Sequence, residues 1–251
     1  MTQSNSLLER PVIEDAHNER SPWQAYWDGL SERRRQLFCE QASEYVLRLE
    51  SALSLKSMRC VLDFGCGFGF VAEMLAHRVD QVYLWDASEN MRRYALVNVA
   101  GRHNIQFVDL SDAKAVPRDL RFDLILVNSV VQYMSRDEFA VRLFQWRSML
   151  ARHGWIVVSD LIPPNYQSAW DIVDLLKFSA AHGLLMRSIW QAMGDVKRHW
   201  RISRAYPLCR IGPEELDRWG KAAGLAVSYL PSNLTHLTRR ITAVFSENPA
   251  V

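Results

Sequence analysis

From Arg59 onward, short runs that are apolar at nearly every position alternate with stretches that are apolar at helical spacing, a pattern few architectures accept. The runs are Cys60-Val61-Leu62-Asp63-Phe64, residues 82–86, 104–108, 122–127 and 155–160, with helical stretches after Gly69, over about 88–99 and over about 136–151. Strands apolar on both faces must be covered on both, and intervening helices make successive strands parallel, so the pattern predicts a doubly wound α/β sheet. A helix from Pro213 to about Ala223, stopped by Gly224, and strands at 225–230 and 240–246 complete it.

Two segments stand outside that alternation. Residues 1–20 are polar and without period; Ser21-Pro22 then opens a stretch with Trp23, Tyr26 and Trp27, followed by a helix from about Glu32 to Leu53. After Pro163-Pro164, residues 166–210 depart from the α/β pattern, with Leu185, Ile189, Met193, Val196 and Trp200 at helical spacing. The expected organisation is a lead-in and helical cover over 1–58, a core of 59–165 and 211–251, and an inserted helical cap over 166–210.

Composition excludes more than it suggests. With 49% hydrophobic residues the chain is a folded domain, and 30 basic against 28 acidic residues give no one-signed field that would recommend nucleic acid or an anionic membrane. Cys39, Cys60, Cys66 and Cys209 form no metal-ligand spacing and match reduced usage, so no metal is expected. No stretch has the length and apolarity of a membrane span and the amino terminus lacks a signal-like apolar region, which points to the cytoplasm.

The chemistry gathers at Gly65-Cys66-Gly67-Phe68-Gly69, between the first strand and the helix after it. Missing side chains let the backbone approach a ligand there, and the helix N-terminus turns free N–H groups toward it. Asp86 ends the second strand about 20 residues on, where an acid can accept from both hydroxyls of a ribose. The two features agree on a nucleoside-containing cofactor. A dinucleotide turn needs a small residue where this chain has Phe70, which disfavours a nicotinamide cofactor.

Val61-Leu62-Asp63-Phe64-Gly65-Cys66-Gly67-Phe68-Gly69 resembles the first motif of class I S-adenosylmethionine-dependent methyltransferases, and further motifs extend the resemblance over most of 59–162. It implies a Rossmann-like, seven-stranded, mostly parallel sheet with helices on both faces. It also implies that Gly65 and Gly67 lie against the methionyl part of S-adenosylmethionine, that Asp63 orients the loop, that Asp86 holds the ribose and that Met91 packs on the adenine. Asp109, with Leu110, would receive the adenine amino group. Asn128, in a segment similar to the fourth motif of the small-molecule branch, would line the methionine end, with Tyr133 near the substrate. Arg152-His153-Gly154-Trp155 resembles the family's turn into the fifth strand.

The acceptor is harder to read. Asn128-Ser129-Val130-Val131 is not the Asn-Pro-Pro-aromatic motif of exocyclic-amine nucleobase enzymes, so a small molecule is expected. Residues 177–210 hold seven basic residues (Lys177, Arg187, Lys197, Arg198, Arg201, Arg204, Arg210) against Asp195, enough to grip an anionic acceptor or RNA. Arg204, Tyr166, Tyr133 and Trp27 are the substrate-binding candidates, and His236, in the loop after the sixth strand, is the candidate general base. The expected function is methyl transfer to oxygen, or to nitrogen, of an anionic or aromatic metabolite. An RNA methyltransferase, a nicotinamide-dependent oxidoreductase and a non-catalytic cofactor-binding module remain as alternatives.

Overall fold

The computed structural model describes residues 21–30, 32–110, 117, 119–186, 198–199 and 201–247. Seven strands, β1 (Cys60–Phe64), β2 (Gln81–Trp85), β3 (Ile105–Phe107), β4 (Phe122–Asn128), β5 (Leu150–Leu161), β6 (Ala226–Tyr229) and β7 (Ile241–Ser246), form one sheet in the order β3-β2-β1-β4-β5-β7-β6. β7 alone runs antiparallel to its neighbours. The order reverses between β1 and β4, so the crevice outside the carboxyl ends of these two strands is where an open α/β sheet binds its ligand.

Among the described residues, helices with defined bounds accompany the sheet: α1 (Pro22–Asp28), α2 (Arg35–Ala52), α3 (Phe70–Leu75), α4 (Glu89–Asn98), α5 (Arg136–Met149), α6 (Ala169–Ala181) and α7 (Pro213–Ala222). Their starts carry the expected signals. Ser21, Ser88 and Ser135 each accept a hydrogen bond from the backbone N–H three residues on, with Pro22 in the first turn of α1. One sheet face packs Val61, Leu84, Leu126 and Val157 against Tyr45, Val46 and Leu49 of α2, Leu75 of α3 and Ala95 of α4. The other packs Leu62, Phe64, Val127 and Val158 against Phe139, Leu143 and Trp146 of α5 and Leu216 of α7. The architecture expected from the alternation is the one observed.

Three local readings need correction. The helix expected over 32–53 begins as a 3-10 turn, Glu32–Arg34, before α2. The third strand is shorter than 104–108, ending at Phe107. The helix placed to 151 stops at Met149, and β5 begins at Leu150 rather than 155, because Leu150 pairs with Phe122 and Trp155 with Leu124, leaving 151–154 as a bulge. Gly154 is required in that bulge, since a Cβ there would lie 2.8 Å from the Phe122 carbonyl oxygen. Of the cap, α6 and helical residues 201–205 are described, whereas the expected apolar positions Ile189, Met193, Val196 and Trp200 lie outside the described residues. No described helix is long and apolar enough to cross a membrane.

Candidate active site

The turn after β1 is built around positive φ angles: Gly65 at +79° and Gly67 at +53° occupy the left-handed region that side chains avoid. A Cβ on Gly65 would lie 2.2 Å from Val130 Cγ2, so the turn presses against the segment following β4. A Cβ on Gly67 would meet none of the described residues within 4 Å, which leaves open space among them over that backbone.

Asp86, just past β2, closes the turn from the side. Its Oδ2 accepts from Gly67 N–H and its Oδ1 from Ser88 N–H, both at 2.8 Å. Each carboxylate oxygen retains one further acceptor direction, as many as two ribose hydroxyls need. Burial pushes the Asp86 pKa up, and the two N–H donors oppose that shift.

Asp63, at the carboxyl end of β1, is 3% exposed and its Oδ2 has no hydrogen-bond partner among the described residues. Burial, with the Asp86 charge behind it, raises its pKa to about 7. An orphaned buried carboxylate costs stability and favours an incoming donor or cation. A sulfonium cofactor bearing an ammonium, a ribose and an adenine fits these features: an open backbone cradle, a carboxylate with two free acceptor directions, and a carboxylate lacking a partner.

The other expected cofactor residues are placed less uniformly. Asn128 ends β4 half-buried. Met91, 1% exposed, sits in a cluster with Phe68, Phe70, Trp23, Tyr26, Leu30 and Ala42. Asp109 is exposed just past β3, and the half-buried Leu110 packs against the α5-side core.

Above the β4 end, aromatic rings from separate segments converge. Tyr133 lies 4.9 Å from Trp23 and 5.6 Å from Trp27, and His199 lies 5.4 Å from Trp23 and 5.7 Å from Tyr26. α1 is fastened to the loop after β2 by Gln24 Nε2 donating to Ala87 O at 2.8 Å and Ser88 Oγ donating to Asp28 Oδ1 at 2.7 Å. Arg198 donates to the Ala25 and Gly29 carbonyls, both at 3.1 Å, with its guanidinium 5.2 Å from the Tyr26 ring. Trp27 and Tyr133 therefore meet, as candidates for one pocket should.

The remaining candidates lie apart from that wall. Tyr166 donates to Asp171 and packs beside Arg240, inside a buried polar network. Arg204 is exposed on the helical residues 201–205, and Lys177, Arg201 and Arg210 are exposed as well. His236 is wedged between α2 and α6, its ring 4.9 Å from Phe178 and its Nε2 3.4 Å from Gln41 Nε2. Burial lowers its pKa, which keeps it in the neutral form that a base requires.

Several polar groups at the strand ends went unassigned in the sequence. Tyr45 of α2 and Ser159 of β5 share a buried hydrogen bond at 3.2 Å. Asp160 and Arg240 pair at 3.1 Å with both side chains almost fully buried, and Arg240 also binds Asp171 at 2.7 Å. Arg240 falls at the start of the expected strand 240–246, where no local pattern marks an ion pair, and only the fold brings these carboxylates to it.

Residues 61–154 match a methyltransferase-domain family. These residues carry a methyltransferase domain. Solved structures similar to this methyltransferase include the Haloferax volcanii methyltransferase in complex with the Trm112 activator, at 13% identity over 91% of this chain and 98% of the other with a TM-score of 0.62. Streptomyces venezuelae DesVI is 14% identical over 85% and 97%, with a TM-score of 0.58. An amino pentose methyltransferase of Micromonospora echinaspora, solved with S-adenosylmethionine bound, is 15% identical over 94% and 100%, with a TM-score of 0.54. At such identities these likenesses concern the fold. No curated protein sequence matches the chain.

Proposed function

We propose that the methyltransferase acts in the cytoplasm on an oxygen or nitrogen of a small, ring-bearing metabolite. The observation that carries this is the half-buried end of β4, where Asn128 and Ser129 adjoin the glycine turn beneath the wall of Trp23, Trp27, Tyr133 and His199. Flat rings stack on such a wall, and polar groups at its foot orient a nucleophile. The amino pentose acted on by the Micromonospora relative is consistent with this size of acceptor. The exposed positions of the described cap bases Lys177, Arg201, Arg204 and Arg210 favour this reading over an acceptor gripped by buried charge. In this reading 59–165 and 211–251 hold the cofactor, while 1–58 and 166–210 shape the acceptor pocket.

Bound S-adenosylmethionine supplies a methyl carbon already activated by its sulfonium, so the protein's task is mainly alignment. In this assignment Gly65 and Gly67 offer backbone to the methionyl part, Asp63 faces its ammonium, and Asp86 receives the ribose hydroxyls. Met91, Asp109 and Leu110 border the adenine, and Asn128 lines the methionine end. Trp27 and Tyr133 hold the acceptor, with Tyr166 and Arg204 further out. A general base assists hydroxyl acceptors, and neutral His236 is the assigned one.

Calorimetry with S-adenosylmethionine, S-adenosylhomocysteine and NAD tests the cofactor assignment: the first two bind and NAD does not. Asp86→Ala is expected to weaken both by roughly thirtyfold, the equivalent of about 2 kcal/mol for hydrogen bonds to a charged group. Unchanged affinity removes Asp86 from the site. A panel of amines, phenols, carboxylates and RNA, read by release of S-adenosylhomocysteine, tests the acceptor, and turnover on RNA alone would overturn the small-molecule reading.

A further inference from the structure

Two non-glycine residues at neighbouring strand ends hold left-handed backbone, Ser129 at φ +58° after β4 and Asp160 at φ +70° on β5. Side chains rarely tolerate that region, and where the surroundings enforce it the strain clusters at functional sites. Here the surroundings are specific. Ser129 Oγ donates to Asp160 Oδ2 at 2.8 Å, and Asn128 Oδ1 is a more distant alternative at 3.4 Å.

Asp160 itself has no capacity to spare. Oδ1 accepts from Asn233 Nδ2 at 3.1 Å and Thr235 Oγ1 at 2.8 Å, and Oδ2 accepts from Arg240 Nη1 at 3.1 Å as well as from Ser129. Arg240 is likewise committed, to Asp160, Gln132 and both oxygens of Asp171. Asp160 and Arg240 are 4% and 7% exposed, whereas Ser129 and its neighbours Asn128 and Val130 are half-buried. At the β4 side the network ends at the half-buried Ser129 hydroxyl, whereas on α6 it ends at Asp171, 25% exposed at its side chain. The Ser129 proton is directed inward to Asp160, which leaves the oxygen lone pairs to accept from outside. Val130, next in the chain, touches the glycine turn, so this oxygen sits at the rim of the β1/β4 crevice.

We propose that Ser129 Oγ receives the N–H or O–H of the methyl acceptor, with Asp160 and Arg240 as positioning residues that hold the hydroxyl in that orientation. The proposal rests on the reading of the glycine turn as the S-adenosylmethionine site. It narrows the acceptor to an amine or hydroxyl, since a carboxylate has no proton to donate to Ser129 at neutral pH. The acceptor atom bonds to the methyl carbon as the carbon–sulfur bond breaks with its electron pair retained by sulfur, and the acceptor's proton passes to solvent from an amine or to His236, the assigned base, from a hydroxyl.

The test needs no knowledge of the acceptor. Sinefungin carries an amine on carbon where S-adenosylmethionine carries its methyl on sulfur, so it places an N–H donor at the position of transfer, while S-adenosylhomocysteine places nothing there. Ser129→Gly removes the hydroxyl and accepts φ +58° without strain. By calorimetry this variant is expected to lose about tenfold in sinefungin affinity, as for one hydrogen bond to a charged donor, with S-adenosylhomocysteine affinity unchanged. Equal losses for both ligands, or no loss for either, overturn the proposal. Asp160→Asn is expected to show the same selective loss, and a uniform loss overturns its positioning role. If the unaltered protein binds neither ligand, the cofactor reading fails and this inference fails with it; binding of both with no selective effect of Ser129→Gly leaves the cofactor reading standing and removes only this one.

Discussion

Asp63 illustrates how a single residue can be costly to the fold and useful to the site. Its pKa is raised to about 7 from 3.8, first by burial and then by the Asp86 charge. Between those values the folded protein holds a proton that the unfolded chain releases, so this group's contribution to stability is present at acid pH and is lost as pH rises through about 7. Asp63→Asn keeps the shape without the charge. The melting temperature of the unaltered protein, without ligand, is expected to fall more steeply between about pH 4 and pH 7 than that of the variant. Parallel curves would show that Asp63 does not titrate there. The sequence marked Asp63, the glycines and Asp86 because a local motif fixes them, each close to a strand end. It did not mark Tyr45, whose phenol reaches Ser159 across 114 positions, since nothing in the helical period of α2 separates it from an ordinary core residue.

Elements were legible where their period was clean and their caps were conventional, as in α4 and α5, and less so where pairing alone sets the boundary. β5 extends back through the bulge at 151–154 because Leu150 finds Phe122, a long-range pairing that no local pattern announces. α5 is held to the sheet by Phe139, Leu143 and Trp146, all fully buried. Leu143→Ala is expected to cost about 3 kcal/mol in urea unfolding, the usual sum of lost transfer energy and residual cavity, and a cost below about 1 kcal/mol would mean that the site collapses around the smaller residue. α1 is held differently, by the polar ties from Gln24 and Asp28 to Ala87 and Ser88 beside Asp86. Loosening those ties is expected to act on the ligand more than on the core. Gln24→Ala combined with Asp28→Ala should speed release of S-adenosylhomocysteine by about tenfold in stopped-flow displacement, in proportion to two hydrogen bonds of about 1 kcal/mol each, only part of which is expected to appear in the release rate. An unchanged release rate would place α1 outside the cofactor's path.

At the scale of the whole molecule, the Asp160–Arg240 centre joins parts of the chain that the sequence keeps far apart. Arg240 lies 80 positions from Asp160, 69 from Asp171 and 108 from Gln132, so it ties β7 to β5, to α6 and to the segment after β4. Such separations explain why the centre was invisible to motif and period, although the sheet that creates it was not. Burial opposes the Arg240 charge, and the two carboxylates beside it more than compensate, so its pKa is raised. Closely paired buried charges are not in themselves stabilising, because their desolvation cost rivals their attraction; removing one partner alone is what strands the rest. Arg240→Met is therefore expected to cost about 3 kcal/mol in urea unfolding, with Asp160 and Asp171 left without their shared cation. Arg240→Lys should recover little of that loss, because one ammonium cannot span Asp160, Gln132 and both Asp171 oxygens as the planar guanidinium does. Adding Asp171→Asn to Arg240→Met should restore part of the stability by removing a stranded charge, and strictly additive losses would show that the two residues are not coupled.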